Sequence, residues 1–370
     1  MSFGLLKHFK ESRKGNHEAI ISRHTKHVIL GHDLGAVLKL VELRKSHPED
    51  AVKIITDRPL NKKILLETYQ FGVSFLRTPE AVQAIYRKHF HAKILPETRE
   101  PSFYKDGKFH EFGSRAKPMG LLQGEEFFTH KGYRAELSSF FEESTWENLD
   151  QMISDALDRR HFDTIEKTTP EDLVEKQEWT LTFKDFTKLT CENLYVSLSP
   201  KKFLNYLGNK ESLTAELIDV CSASTARGAI SVTWILNKEL HKEAQTLLIP
   251  QSMTHEWGHF ITEFEAFDHK LNQGFCHVLF LIHEEEPQSE DLATKIKLMK
   301  RVLDRVFPDM EKHIIKEYIR FDEEMLIADI KDQTAEQLSF DYPTLKFLGQ
   351  ASPMTADLSQ EKYLARTLLH

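Results

Sequence analysis

Residues 27–40 read "HVILGHDLGAVLKL": an apolar run, a glycine turn, then a second apolar run at a different spacing. Val28-Ile29-Leu30 is short, apolar and rich in β-branched residues, as a strand buried on both faces should be. Val37, Leu38, Leu40, Val41 and Leu43 then recur at helical spacing, until Ser46-His47-Pro48 breaks the pattern. Val52-Lys53-Ile54-Ile55-Thr56 reads as a second strand that ends at Asp57. The stretch predicts a βαβ unit, with two parallel strands joined by one helix.

A βαβ unit that binds a dinucleotide carries G-x-G-x-x-G in its first turn. The first glycine makes the turn, the second lets the backbone approach the pyrophosphate, and the third packs helix on strand. The helix N-terminus then faces the phosphates. Here the turn is Gly31-His32-Asp33-Leu34-Gly35-Ala36. Gly31 satisfies the first position and Ala36 is acceptable at the third. Asp33 stands at the second, where its carboxylate would meet a pyrophosphate of like charge. Gly35 adds backbone freedom one step out of register. Asp57 could accept a ribose hydroxyl at the end of the second strand.

Downstream, residues 62–93 read as helical. "PSFYKDGKFHEFG" (101–113) is a hairpin around Asp106-Gly107. Ser144 and Glu147 form a capping box for a helix lined by Trp146, Leu149, Met152, Ile153 and Leu157, and Thr169-Pro170 opens another helix. Strands follow at "WTLTFKDF", "ENLYVSLSP", "AISVTWIL" and "GFCHVLFLIH". Residues 291–307 form an amphipathic helix stopped by Pro308, and the chain closes as a strand over Leu345–Leu348, a turn at Gly349 and a last helix.

The order βαβ, strand-rich middle, strand–Gly–helix implies an α/β architecture. We expect a Rossmann-like nucleotide-binding domain built from both chain ends, residues 25–75, 170–205 and 335–370. An α+β substrate lobe with an antiparallel sheet, residues 76–169 and 206–334, is inserted, and residues 1–24 form a basic arm. The 370 residues carry a formal charge of −8, which argues against a nucleic-acid partner. No run is long enough to span a bilayer as a helix, and Cys191, Cys221 and Cys276 show no C-x-x-C spacing. Reduced, buried thiols in a cytoplasmic protein are the expectation.

Five segments in order, "HVILGHDLGAVLKL", "PSFYKDGKFHEFG", "LTCENLYVSLSPKKFLNYLG", "DLATKIKLMKRVLDRVFPDM" and "PTLKFLGQASPM", give the chain a likeness over residues 27–369. It resembles the flavin-dependent amine oxidase superfamily, the group of protoporphyrinogen oxidases, phytoene desaturases and UDP-galactopyranose mutases. The resemblance implies FAD over the turn at Gly31, Asp33, Gly35 and Ala36, with Asp57 toward the ribose and Gly349-Gln350 as the closing motif. Three stations depart from the pattern. Asp33 replaces a glycine, Gln350 replaces the closing acid, and "RPLNKKILLETYQFG" stands where a glycine–glycine–arginine segment belongs. Two readings follow: an FAD-dependent oxidoreductase with an unusual binding mode, or the same fold without flavin, acting as a binding or assembly protein.

A third reading comes from "MTHEWGHF", residues 253–260. His255-Glu256-Trp257-Gly258-His259 matches H-E-x-x-H, in which two histidines one helical turn apart bind zinc and the glutamate polarises water. With 19 histidines in the chain, composition alone produces the pattern in roughly one such sequence in ten. Pro250 leaves the pair in a first helical turn, and "HFITEFEAF" reads as a strand paired with "GFCHVLFLIH". We therefore read the segment as the start of a hairpin, with a zinc peptidase as the minor alternative. His24, His27 and His32 read as surface or loop histidines, and Glu284-Glu285-Glu286 as a solvated run. Ser222, Ser224 and Ser231 lack a G-x-S-x-G elbow. Arg115 and Lys117 suit an anionic substrate or plain surface equally.

Overall fold

The computed structural model describes residues 22–70, 93–112, 120–121, 125–129, 131–168, 178–223, 226–254, 258–282, 289–327 and 341–348. Its first sheet grows from the βαβ unit. Strand β1 (Ser22–Leu30) leads through the glycine turn into helix α1 (Leu34–Arg44), and β2 (Val52–Ile55) returns parallel to β1, with His27 opposite Val52 and Leu30 opposite Ile55. Alternation along these strands fills two cores. Ile29 and Ile54 pack under α1, while Val28, Leu30 and Ile55 face the other way. Helix α2 (Lys62–Gln70) follows β2.

The middle of the chain contributes to both sheets. Strands β3 (Ile94–Lys105) and β4 (Lys108–Glu111) form the expected hairpin, with Tyr104 opposite Phe109 and positive φ at Asp106 and Gly107. Strand β5 (Gly132–Ala135) pairs with β3. The helix expected from Ser144 appears as two pieces, α3 (Glu143–Glu147) and α4 (Leu149–Ala156). The capping box does not form. The N-cap falls two residues earlier, at Glu142, so Ser144 lies inside the first turn, and Glu142 makes no side-chain capping bond. Leu149 and Ile153 are buried on the expected face, against the α1 core.

Strands β6 (Leu157–Asp158) and β7 (Phe162–Thr168) join the first sheet, followed by β8 (Glu178–Phe183) and β9 (Lys188–Val196). The helix expected from Thr169 lies outside the described residues. The first sheet has the order β6-β2-β1-β9-β8-β7. Strand β15 (Leu345–Phe347), from the far end of the chain, pairs parallel with the last residues of β9. One sheet therefore holds strands from both ends of the chain, as the sequence implied. Helices α5 (Pro200–Tyr206) and α6 (Ala215–Ala223) cover the face opposite α1, through Phe203, Leu204, Leu217 and Val220.

The second sheet is mostly antiparallel. Its further members are β10 (Ala226–Leu236), β11 (Gln245–Ile249), β12 (Phe260–Phe264), β13 (Gly274–Ile282) and β14 (Ile314–Ile327), in the order β14-β10-β13-β12-β11-β3-β4. One helical turn, α7 (Gln251–Thr254), separates β11 from β12. Helix α8 (Ser289–Val306) lays Met299, Val302 and Leu303 on one sheet face, against Val232, Trp234, Val278 and Phe280. The other face carries a smaller core of Phe103, Phe128, Leu248, Ile261 and Leu279. Among the described residues no helix is long and apolar enough to cross a membrane.

All three cysteines are free and buried, as expected. Burial raises their thiol pKa values, that of Cys221 to about 12.

Candidate functional site

The glycine turn sits where β1, β2 and β9 end side by side. Gly31 has φ +131°, a conformation open to glycine and poor for any other residue. A Cβ built on it would stand 2.6 Å from the Cβ of Ser197, just past the end of β9. Two backbone bonds close the turn: Gly31 N–H donates to Ile55 O at 3.1 Å, and Ser197 N–H donates to Leu30 O at 2.7 Å. The first fingerprint glycine therefore has a physical cause in this chain.

Asp33 is the N-cap of α1. Its Oδ1 accepts the Ala36 N–H at 2.8 Å and also the hydroxyl of Ser197. An N-cap carboxylate satisfies one of the orphan N–H groups at a helix start and complements the positive end of the helix dipole. Burial nonetheless raises the pKa of this carboxyl, with the Ser197 hydroxyl and the Ala36 and Gly35 amides pulling against it. Gly35 and Ala36 are both buried in the first turn of the helix.

His32 and Asp57 flank the turn. Burial lowers the His32 pKa to about 4, helped by Arg58, Lys202 and Arg320 and opposed by Asp57. Asp57 is exposed just beyond β2, and Lys202 lies in the first turn of α5. Leu348 N–H donates to Val196 O at 2.7 Å, which brings the chain preceding Gly349 to the same edge. Gly349 and Gln350 themselves lie outside the described residues.

Of the histidines expected at the surface or in loops, His27 alone departs from that expectation. His24 is exposed, beside Thr190 and Glu192. His27 is buried in β1, on the α1 side, with its ring 4.4 Å from that of His47 and close to Tyr195. Burial lowers its pKa to about 4. The period of a strand, not local polarity, set its exposure.

The H-E-x-x-H segment is not a described helix at its second histidine. Gly258 has φ +88° and His259 stands immediately before β12. The hairpin reading holds here, since β12 pairs antiparallel with β13, Ile261 opposite Leu279 and Phe264 opposite Cys276. His259 is fully buried and engaged. Its backbone N–H donates to Glu125 Oε1 at 2.6 Å and its Nδ1 to Glu125 Oε2 at 2.8 Å. His255 and Glu256 lie outside the described residues, as do Arg115, Lys117, Ser224 and Glu284–Glu286. Among the described residues no three His, Cys, Asp or Glu side chains form a group that could hold a metal.

Sequence reasoning missed a polar row on the sheet face turned away from α8. Arg99 reaches Glu265 at 3.5 Å and donates to the Phe264 carbonyl, while Thr246 donates to Glu263. His277 spans Glu265 at 3.2 Å and the Thr233 hydroxyl at 3.0 Å. The residues are spread over β3, β10, β11, β13 and β12 with its end, so no local spacing marks the group.

No protein-family model and no curated protein sequence matches the chain. Solved structures do match it. Wild-type putrescine oxidase bound to putrescine superposes with a TM-score of 0.57 at 7% identity, over 94% of this chain and 97% of that one. An oxidoreductase from Methanosarcina mazei gives 0.57 at 11% identity, over 93% and 99%. Cyclohexylamine oxidase from Brevibacterium oxydans gives 0.55 at 8%, over 93% and 99%. The chain has the flavin amine oxidase fold. That fold accounts for the two sheets and for the meeting of chain ends in the first of them.

The residues at the glycine turn do not fit the dinucleotide mode of a flavin amine oxidase fold. A pyrophosphate there needs the first-turn N–H groups of α1 and the space in front of them. Asp33 takes the Ala36 N–H and fills that space with its own carboxyl. Two unit charges at about 4 Å repel by roughly 1–4 kcal/mol between bulk water and a protein surface. Protonating Asp33 would remove the charge but leave the atoms in place.

Proposed function

We propose that this chain uses the flavin amine oxidase fold without a bound dinucleotide, as a binding or assembly protein. One observation carries the reading: Asp33 caps α1 at the place where a pyrophosphate would lie. The departures at Gln350 and at "RPLNKKILLETYQFG" point the same way. We place the division of the chain as the sequence suggests, with 25–75, 170–205 and 335–370 in the dinucleotide-type domain and the remainder of 76–334 in the lobe.

A second reading, an FAD-dependent oxidoreductase that holds its cofactor differently, is favoured by Asp57. It stands exposed beyond β2, beside His32, where an acid suits a ribose hydroxyl. In that reading Gly31, Asp33, Gly35, Ala36, Asp57, Gly349 and Gln350 contact FAD, which itself supplies the redox chemistry.

The visible absorption spectrum and metal content of the purified protein separate the readings. Colourless, metal-free protein supports the first. Yellow protein that releases flavin on denaturation supports the second. One bound zinc lost on His259→Ala would overturn both.

A further inference from the structure

We propose that the loop between β10 and β11, residues 237–244, is an acid-released latch, seated by the neutral ring of His241 and freed when that ring takes up a proton. The loop belongs to no helix or strand. Its sequence, Asn237-Lys238-Glu239-Leu240-His241-Lys242-Glu243-Ala244, is mostly polar. Its ends are tied by backbone bonds. Asn237 N–H donates to His313 O at 3.0 Å, and Gln245 N–H donates to Glu243 O at 3.0 Å. Its middle is held by side-chain packing. Leu240 lies against the core under α8, while Lys242 meets Glu239 at the surface at 4.0 Å.

His241 enters a nest of aromatic rings from three separate elements. Its ring centroid lies 6.0 Å from Phe109 of β4, 5.6 Å from Phe264 of β12 and 6.1 Å from Phe307, the residue after α8. The nest is itself closed, with Phe264 4.8 Å and Phe109 5.8 Å from Phe307, and Tyr104 5.2 Å from Phe109. One imidazole thus joins the loop to the β3–β4 hairpin, the end of β12 and the end of α8. With the loop in place Phe264 and Phe307 are only 4% and 6% exposed. Its release would uncover an apolar surface where the neutral protein carries a polar loop.

The seat suits an imidazole and not an imidazolium. Burial acts most strongly on the ring and holds its pKa below the ordinary 6.5. Two charged groups also act on it, Glu243 of the same loop in favour of the cation and Arg99 of β3 against it. A hydrogen bond to the Gln245 side chain, at the start of β11, favours the cation as well. The phenyl rings of β4, β12 and position 307 would attract a cation, but they replace only part of the water it loses. The Nε2 atom is buried without a hydrogen-bond partner. A protonated ring is a donor at both nitrogens, so it would hold an Nε2–H with no acceptor. The seated ring therefore binds a proton less readily than the released ring. The seat holds above pH 6.5, and release is increasingly favoured as the pH falls below that value.

Hydrogen exchange of the full chain at pH 7.5 and 5.5, with the chemical exchange rates factored out, tests this on wild type and His241→Phe. The phenylalanine keeps an aromatic ring in the nest and removes the proton. In wild type, protection of the amides of residues 237–245 should fall at least fivefold at the lower pH, while β1 and β2 keep theirs. In His241→Phe the loop should stay protected at both. Wild-type protection that does not fall would overturn the proposal, as would a fall shared equally by β1 and β2. So would an equal fall in His241→Phe. If that variant fails to fold, an NMR titration of the wild-type His241 ring decides. A pKa below 6.5 supports the latch, and one at or above 6.5 overturns it.

Discussion

Asp33 accepts the backbone N–H of Ala36 at 2.8 Å, and so closes the helix end that gives this fold its usual phosphate contact. The same carboxyl accepts the Ser197 hydroxyl and ties the turn to the end of β9. One side chain thus fastens a helix and two strands.

Asp33→Ala is expected to cost about 1 kcal/mol, the usual worth of a helix cap. Asp33→Asn keeps an acceptor and removes the titration. A buried carboxyl with a raised pKa favours the folded state when protonated. Its contribution is complete below the ordinary value of 3.8 and is lost as pH rises through the raised folded value. Relative to Asp33→Asn, wild type should therefore gain stability as the medium is acidified through that window, which urea melts at a series of pH values would read.

Gly31→Ala is expected to cost about 2 kcal/mol or more, because it forces a Cβ into Ser197 at a φ that alanine resists. Ser197→Gly should recover part of the loss by removing the clash but not the backbone strain. A double-mutant cycle by chemical denaturation separates the two.

His27 gives an acid-side signature of opposite sign. Its folded pKa is lowered from 6.5 to about 4, so the unfolded chain binds the proton more readily between those values. Stability from this group is present above 6.5 and is lost as pH falls toward 4. The full shift corresponds to no more than about 3 kcal/mol. His27→Leu should flatten that part of the stability profile, read by thermal melts across the window.

Glu125→Ala should cost about 3 kcal/mol, since it leaves the buried His259 without its acceptor. His259→Ala should also destabilise, and should leave the metal content of the protein unchanged. Melting curves with elemental analysis on the same samples check both.

Legibility followed the range of the interactions. The βαβ unit, the 102–110 hairpin, the β12–β13 hairpin and β15 were readable because strand alternation, helical spacing and turn residues are local. Strand β14 escaped notice. Lys316, Glu317, Arg320 and Asp322 interrupt its apolar pattern on both faces, as an edge strand allows. The cost of Asp33 at a glycine position was plain in the sequence. Its use as an N-cap was also in reach, from an acid just before a helical stripe. Ser197 and Glu125 were not in reach. They lie 164 residues from Asp33 and 134 residues from His259, and only the folded chain brings them together.

Calorimetric titration of FAD into the purified wild-type protein tests the central claim most directly. The occupied α1 N-terminus predicts no saturable binding. Stoichiometric, saturable FAD binding would contradict it.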